Sequence, residues 1–338
     1  MENIKLKDTE LISAVKLLGR AQILSDGFAC DHSGTGFELR GVFDSDIEIE
    51  LYTTKEKDGC DFVYFTAYLD GKRICDRYEV ALGEQILRIA LPSDNEVHTL
   101  RVVKQIESNY NLCKIGSISF CGKLLDAPAK EQKYIEYIGD SLSCGMGLLG
   151  KKGVEGPQTS RWEDVTKGYT YMSAEALCVD YSIVSESGIG LAGSWFDPLF
   201  DFYSVWSYKR DKSVKYDFLR VPDLVIINLV TNDFYLNCDL GICTLEEVEQ
   251  KTKEFVAFVR NSYKKQVPIL WVSRFMKLGD SYVEAVDKAI AEIGGEDADI
   301  FRLDVPTFAG GAQGHPDIEG HRVACEYVVD YIRKKNLI

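Results

Sequence analysis

The 338-residue chain predicts two domains in series: a β-sandwich over residues 1–128 and a three-layer α/β/α domain with a parallel sheet over residues 129–338. Three observations predict this. The length exceeds what one hydrophobic core normally supports. Segments before residue 128 are short, strand-like and rich in Val, Ile, Tyr and Phe, whereas beyond residue 133 apolar runs alternate with stretches of helical spacing. A composition of 46% hydrophobic and 27% charged residues supplies apolar material for two cores.

Residues 46–52 and 62–68 read as strands of the first domain, and Asp70-Gly71 after them is a hairpin signal. Residues 85–91 and 97–104 add further strands, and no long helix is evident after about residue 19. Residues 124–133, with Pro128 and several charges, read as the linker. In the second domain, 134–138, 180–184, 223–230, 268–272 and 299–303 read as strands, and 169–178, 282–293 and 318–334 as helices. The nearly unbroken apolar run at 223–230 suits a strand buried on both faces. Thr244 with Glu247 matches a capping box that opens a helix to about residue 263.

The formal net charge of −14 argues against nucleic acid, which needs clustered Lys and Arg, and against anionic membranes; a neutral substrate fits best. The N-terminus lacks a basic segment followed by an apolar one, and no apolar stretch approaches the roughly 20 residues that span a bilayer. Ten cysteines are scattered through apparent strands and helices, with no Cys-x-x-Cys. Free thiols in the cytoplasm are the expectation.

Four histidines exist, and only His315 and His321 fall in the second domain, so a histidine base there is one of these two. Gly139-Asp140-Ser141-Leu142 directly follows the strand at 134–138. A glycine allows a tight turn, the serine is presented at the open edge of the sheet, and backbone N–H groups there can face an oxyanion. The plainer reading is a strand–loop junction capped by Asp140. Asn232 lies just past the buried strand at 223–230, where its amide is either an oxyanion donor or part of a turn. Pro316 fits the first turn of the last helix and places His315 just outside it.

Two other patterns point away from cofactors. Gly145-x-Gly147-x-x-Gly150 matches a dinucleotide fingerprint, but the following Lys151-Lys152-Gly153-Val154-Glu155-Gly156-Pro157 breaks the helix that would hold a pyrophosphate. The six-residue gap between His315 and His321 does not align on one helix face, which disfavours a metal pair. Neither a metal nor another cofactor is expected. An aromatic-dense stretch includes Trp195, Phe196, Trp206 and Tyr208. With Trp271 at a strand end, Trp195 and Trp206 are candidates for substrate contact or for core packing.

These blocks together resemble the SGNH (GDSL) hydrolases, and beyond that carbohydrate esterase family 2, whose members include acetyl xylan esterases. The markers are Gly139-Asp140-Ser141-Leu142-Ser143-Cys144-Gly145, Glu186-Ser187-Gly188-Ile189-Gly190, Ile227-Asn228-Leu229-Val230-Thr231-Asn232-Asp233-Phe234 and Gly314-His315-Pro316. In the first domain, Val97-His98-Thr99-Leu100-Arg101-Val102 with Lys104 and Glu107 also looks family-like. The resemblance covers nearly the whole chain and implies a jelly-roll domain before a flavodoxin-like SGNH domain. It implies Ser141 as nucleophile and His315 as base. The oxyanion donors would be the Ser141 N–H, the Gly188 N–H (with Gly190 as the alternative) and the Asn232 side chain. His321 would be an ordinary helix-surface residue. The superfamily's acid, three residues before the histidine, is replaced by Ala312. A Ser–His dyad with a backbone carbonyl orienting the imidazole is then implied, Gln313 being the candidate and Asp317 the weaker substitute. The implied reaction is removal of acetyl from xylo- or other oligosaccharides. A lysophospholipase or thioesterase on the same fold, or a sugar-binding protein with a decayed site, are the rivals. The first domain is open to three roles: binding sugars, walling the active site or mediating a homo-oligomer.

Overall fold

The computed structural model describes residues 2–338 and divides the chain into two compact units. The first ends at Lys130 and also takes in Gln158–Ser160; the second comprises Glu131–Pro157 and Arg161–Ile338. The boundary lies two residues beyond the expected one. The excursion at 158–160 joins the first unit through Gly59, whose carbonyl accepts from the Ser160 N–H (3.1 Å) and the Thr159 hydroxyl (2.9 Å).

The first unit is an 11-stranded antiparallel assembly: β1 (Glu2–Lys7), β2 (Val15–Leu18), β3 (Gln22–Leu24), β4 (Gly27–Ala29), β5 (Gly36–Phe43), β6 (Ile47–Lys55), β7 (Phe62–Leu69), β8 (Lys72–Ala81), β9 (Gly83–Ile89), β10 (His98–Lys104) and β11 (Asn111–Leu124), with one short helix α1 (Asp8–Ala14). Period-two alternation builds its core. Ile47, Ile49 and Leu51 of β6 are buried while Glu48 and Glu50 between them face outward. Asp70 and Gly71 form the two-residue turn between β7 and β8, both with positive φ (50° and 77°).

The second unit holds a five-stranded, wholly parallel sheet: β12 (Tyr134–Gly139), β13 (Asp180–Ser185), β14 (Leu224–Asn228), β15 (Ile269–Ser273) and β16 (Ile300–Asp304), in the order β13-β12-β14-β15-β16. Its helices are α2 (Ser141–Cys144), α3 (Tyr169–Leu177), α4 (Leu199–Tyr203), α5 (Thr231–Leu240), α6 (Leu245–Tyr263), α7 (Asp280–Glu292) and α8 (Ile318–Lys335). Alternate side chains of the strands serve two helical layers. Ile138, Ile227, Ile269 and Trp271 share a core with Val248 and Phe255 of α6 and Val286 of α7. Tyr137 points the other way, onto Tyr169 and Ser173 of α3, and α3 packs on α8. The Thr244–Glu247 capping box is formed at the start of α6. From β12 the chain runs first to β13 on one side and then back to β14 on the other. The carboxyl end of β12 is thus a topological switch point, where open α/β sheets place their ligands.

Among the described residues no helix is long and apolar enough to cross a membrane. Trp271 is fully buried in the core between sheet and helices, which corrects its expected place at the substrate. A parallel strand covered on both faces leaves no outward side for it.

Candidate active site

The site is built where the strands end. β12 is buried along its whole length and stops at Gly139, where a Cβ would fall 2.1 Å from Ser143 Oγ and 2.9 Å from the Asn228 carbonyl. Only a residue without a side chain lets the chain turn so closely. Asp140, fully buried, caps α2 by accepting from the Leu142 N–H at 2.9 Å. Ser141 is then the first residue of that short helix, with its backbone N–H at the helix start.

His315 approaches from the loop between β16 and α8. Its Nε2 lies 3.0 Å from Ser141 Oγ and its Nδ1 3.1 Å from the Ala312 carbonyl. A carbonyl only accepts, so Nδ1 carries the proton and Nε2 accepts from the serine hydroxyl. Both side chains are recessed, each residue being 6% exposed. Burial lowers the His315 pKa below the ordinary histidine value, against the Ala312 and Gln313 peptides, which favour the charged ring. The ring is therefore neutral, in the form of a base, at neutral pH.

The carbonyl that meets Nδ1 belongs to Ala312, not to Gln313 as expected. Gln313 is left-handed (φ 52°, ψ 37°), and that turn brings the preceding carbonyl under the ring while sending its own N–H to the Val154 carbonyl at 3.0 Å. Asp317 is engaged otherwise: it caps α8 by accepting from the Gly320 N–H at 2.9 Å.

Gly188 follows β13 with φ 87°, and it differs from Gly190 in its hydrogen bonding. The Gly190 N–H is committed to Ser194 Oγ at 3.0 Å, while no bond within the chain is formed by the Gly188 N–H among the described residues. Asn232, in the first turn of α5, donates through Nδ2 to the Ile189 carbonyl (2.8 Å) and, at 3.3 Å, to Asp140 Oδ2. Its amide is thus fixed between the ends of β12 and β13.

Asp233, unassigned by the sequence, anchors the loop after β13. Its carboxylate accepts from the N–H groups of Leu191 (2.8 Å), Ala192 (2.6 Å) and Gly193 (3.0 Å). Burial raises its pKa while these three donors oppose the shift. Its position beside Asn232, just past a buried strand, was the available signal.

The glycines of 145–150 serve the histidine loop. Gly147 has φ 80°, and a Cβ there would fall 2.7 Å from His315 Cβ. Its carbonyl accepts from the Ala312 N–H at 3.0 Å. Trp195, 39% exposed, donates its backbone N–H to the Gly188 carbonyl at 2.9 Å, and the Phe196 ring next to it lies against Gly188. Trp206 is half-buried, edge-on to Tyr216 at 4.6 Å between ring centres. His321, expected on the surface, is fully buried: its Nδ1 accepts from the Tyr169 N–H (3.2 Å) and its ring stacks on Tyr169 and meets Phe275 edge-on. The first turns of α8 pack inward against α3, which is why a helix position alone misplaced it.

Three relatives frame this geometry. The chain is 27% identical to the cellulase/esterase CelE of Acetivibrio thermocellus over 86% of its own length and 37% of that protein. It is 28% identical to the acetylxylan esterase/glucomannan deacetylase of Cellvibrio japonicus over 42% of its length and 41% of that protein. The chain thus spans about two fifths of these curated relatives. A family two carbohydrate esterase from Clostridium thermocellum, solved with cellohexaose, superposes with a TM-score of 0.84 at 25% identity, covering 96% of this chain and 100% of that one. The model of the GDSL-like lipase/acylhydrolase family matches residues 135–328, more than half of the sequence, and contains every residue of the Ser141–His315 constellation. The chain belongs to the GDSL-like lipase/acylhydrolase family.

Proposed function

We propose that this chain is a serine carboxylic-ester hydrolase that removes acetyl groups from xylo- or other oligosaccharides, with Ser141 as nucleophile and His315 as general base. The observation that carries this reading is the 3.0 Å contact from Ser141 Oγ to an imidazole whose other nitrogen is held by a carbonyl. The Ser141 oxygen attacks the ester carbonyl as His315 Nε2 takes its proton, and the resulting imidazolium is steadied by the Ala312 carbonyl. The oxyanion is received by the N–H groups of Ser141 and Gly188 and by the Asn232 amide, whose 3.3 Å bond to Asp140 is the weaker of its two. Each such donor is worth about 3 kcal/mol in the transition state. His315 then returns the proton to the departing sugar oxygen, and a water, deprotonated by the same ring, frees acetate from the acyl-enzyme.

The carbohydrate substrate is supported by a relative named acetylxylan esterase/glucomannan deacetylase and by a family two carbohydrate esterase solved with cellohexaose. Trp195 and Phe196, both exposed, with the Phe196 ring against Gly188, are the aromatic side chains offered to a sugar ring. The 11-stranded antiparallel unit is read as the jelly-roll partner domain of such enzymes.

The test is hydrolysis of acetylated xylo-oligosaccharides against an octanoyl ester, with fluorophosphonate labelling. Acetyl release, weak octanoyl turnover and labelling abolished in Ser141→Ala are expected. A wild-type protein that takes up no label and releases no acetate would overturn the reading, and a preference for octanoyl would move it to lipid esters.

A further inference from the structure

The loop that carries His315 has an anchor of its own. At the position where the resemblance would put an acid, the Ala312 side chain packs on Gly150: a Cβ there would fall 2.3 Å from Ala312 Cβ. The carbonyl of the same residue does the orienting, so its aim depends on the backbone of 312–314. Three hydrogen bonds set that backbone against residues 147–156. The Ala312 N–H donates to the Gly147 carbonyl (3.0 Å), the Gln313 N–H to the Val154 carbonyl (3.0 Å), and the Gln313 side-chain Nε2 to the Gly156 carbonyl (2.5 Å). The first two are available to any residue. The third requires a side-chain donor of this length, because a carbonyl only accepts. Gln313 also holds a left-handed conformation (φ 52°), which is unfavourable for a long side chain unless something fixes it there.

We propose that Gln313 is a positioning residue for the general base: its side-chain amide clamps the 312–314 turn to Gly156 and so keeps the Ala312 carbonyl under His315 Nδ1. The clamp supplies by geometry the tautomer and ring orientation that an acid three residues before the histidine would supply by charge. The inference rests on the esterase reading only for its kinetic arm.

The test compares Gln313→Glu and Gln313→Gly with the wild-type chain. The glutamate has the same length but sets a carboxylate oxygen against the Gly156 carbonyl. The glycine accepts the left-handed backbone without strain but has no side chain, so it keeps the test open should the glutamate variant misfold. Both variants are expected to lower kcat on an acetyl ester about 10- to 100-fold, the scale on which small misplacement of a catalytic group acts. KM should stay within about twofold, because the oxyanion donors and the exposed Trp195 are untouched. In the proton NMR spectrum, the low-field Nδ1–H resonance of His315 should be sharp in the wild type and broadened or lost in both variants. Wild-type kcat with an unchanged resonance in both variants would overturn the clamp. If the wild type hydrolyses no acetyl ester, the functional reading fails, and the NMR comparison alone still decides the clamp.

Discussion

Ser141 and His315 meet at 3.0 Å but are placed by different physics. The serine sits two residues past Gly139, the last residue of a strand buried along its whole length, and inherits the rigidity of the sheet. The histidine comes eleven residues after β16, on a loop held against a second loop, 147–156, by a few hydrogen bonds. A side chain at a strand end is positioned by the core, whereas one on a loop is positioned by contacts that a single residue can undo.

The largest effects come from removing either member of the pair. Ser141→Ala and His315→Ala are each expected to lower kcat on an acetyl ester by about 10⁶, with the double variant no worse than the singles, because the two act as a unit. Steady-state kinetics of the three variants checks this. A His315→Ala protein within tenfold of wild type would place the base elsewhere and end the comparison.

The next test puts one methyl in each region. At Gly139 the added Cβ would meet Ser143 Oγ at 2.1 Å and the Asn228 carbonyl at 2.9 Å, inside the sheet. At Gly147 it would meet His315 Cβ at 2.7 Å, on a backbone with φ 80°. Gly139→Ala is expected to destabilise the second unit by several kcal/mol, as overpacking against backbone does. Gly147→Ala should shift the loop instead, lowering kcat by about 100-fold with a much smaller fall in Tm. Thermal unfolding and turnover measured side by side separate the two. Equal losses of Tm would show that the histidine loop is as much a part of the core as the strand end.

The same contrast explains what was legible in the sequence. Strand and helix in the second unit follow from hydrophobic periodicity and from caps such as Thr244 with Glu247, signals that are local and strong. Ser141, Asn232 and His315 are legible because each follows a strand and so falls at the same sheet edge. What depends on the course of a loop is not. Choosing Ala312 over Gln313 as the orienting carbonyl requires the left-handed φ at 313, and the glycines at 147 and 150 look like a phosphate loop until His315 and Ala312 are seen packed on them. Trp271 and His321 were misplaced for another reason: which face of an element is covered depends on its neighbours, β15 between two helical layers and α8 against α3. The 14-residue β11, which pairs with β1, β4, β5 and β6, carries no periodicity strong enough to announce it.

His321 gives the comparison a pH dimension. Burial, with a smaller contribution from His315, lowers its pKa to about 3. The folded chain therefore keeps it neutral where the unfolded chain, near 6.5, protonates it. Such a group contributes stability that is full above pH 6.5 and is lost as the pH falls toward 3. At pH 5 the loss is about 2 kcal/mol. Urea unfolding at pH 7 and pH 5 should show it in the wild type and a shallower slope in His321→Phe. The slope should not vanish, because His315 is shifted in the same direction. Equal slopes in the two proteins would mean that the buried ring does not resist protonation.

The smallest effect is the acid limb of the activity itself. An unperturbed histidine base would be half protonated at pH 6.5. Burial keeps the His315 imidazole neutral to lower pH, and the two flanking peptides only partly offset this. Lowering the pH from 7.5 to 6.5 should thus cost less than about twofold in kcat/KM, with the apparent pKa of the free enzyme below 6.5. A midpoint above 6.5 would mean that a negative charge stabilises the imidazolium, which a dyad oriented by a neutral carbonyl does not provide. The limb also tells the two regions apart. In Gln313→Glu the loop loses its amide donor and gains a carboxylate in the same loop as the ring, so its midpoint should rise, whereas Asn232→Ala, at the strand end, should lower the rate with the midpoint unmoved.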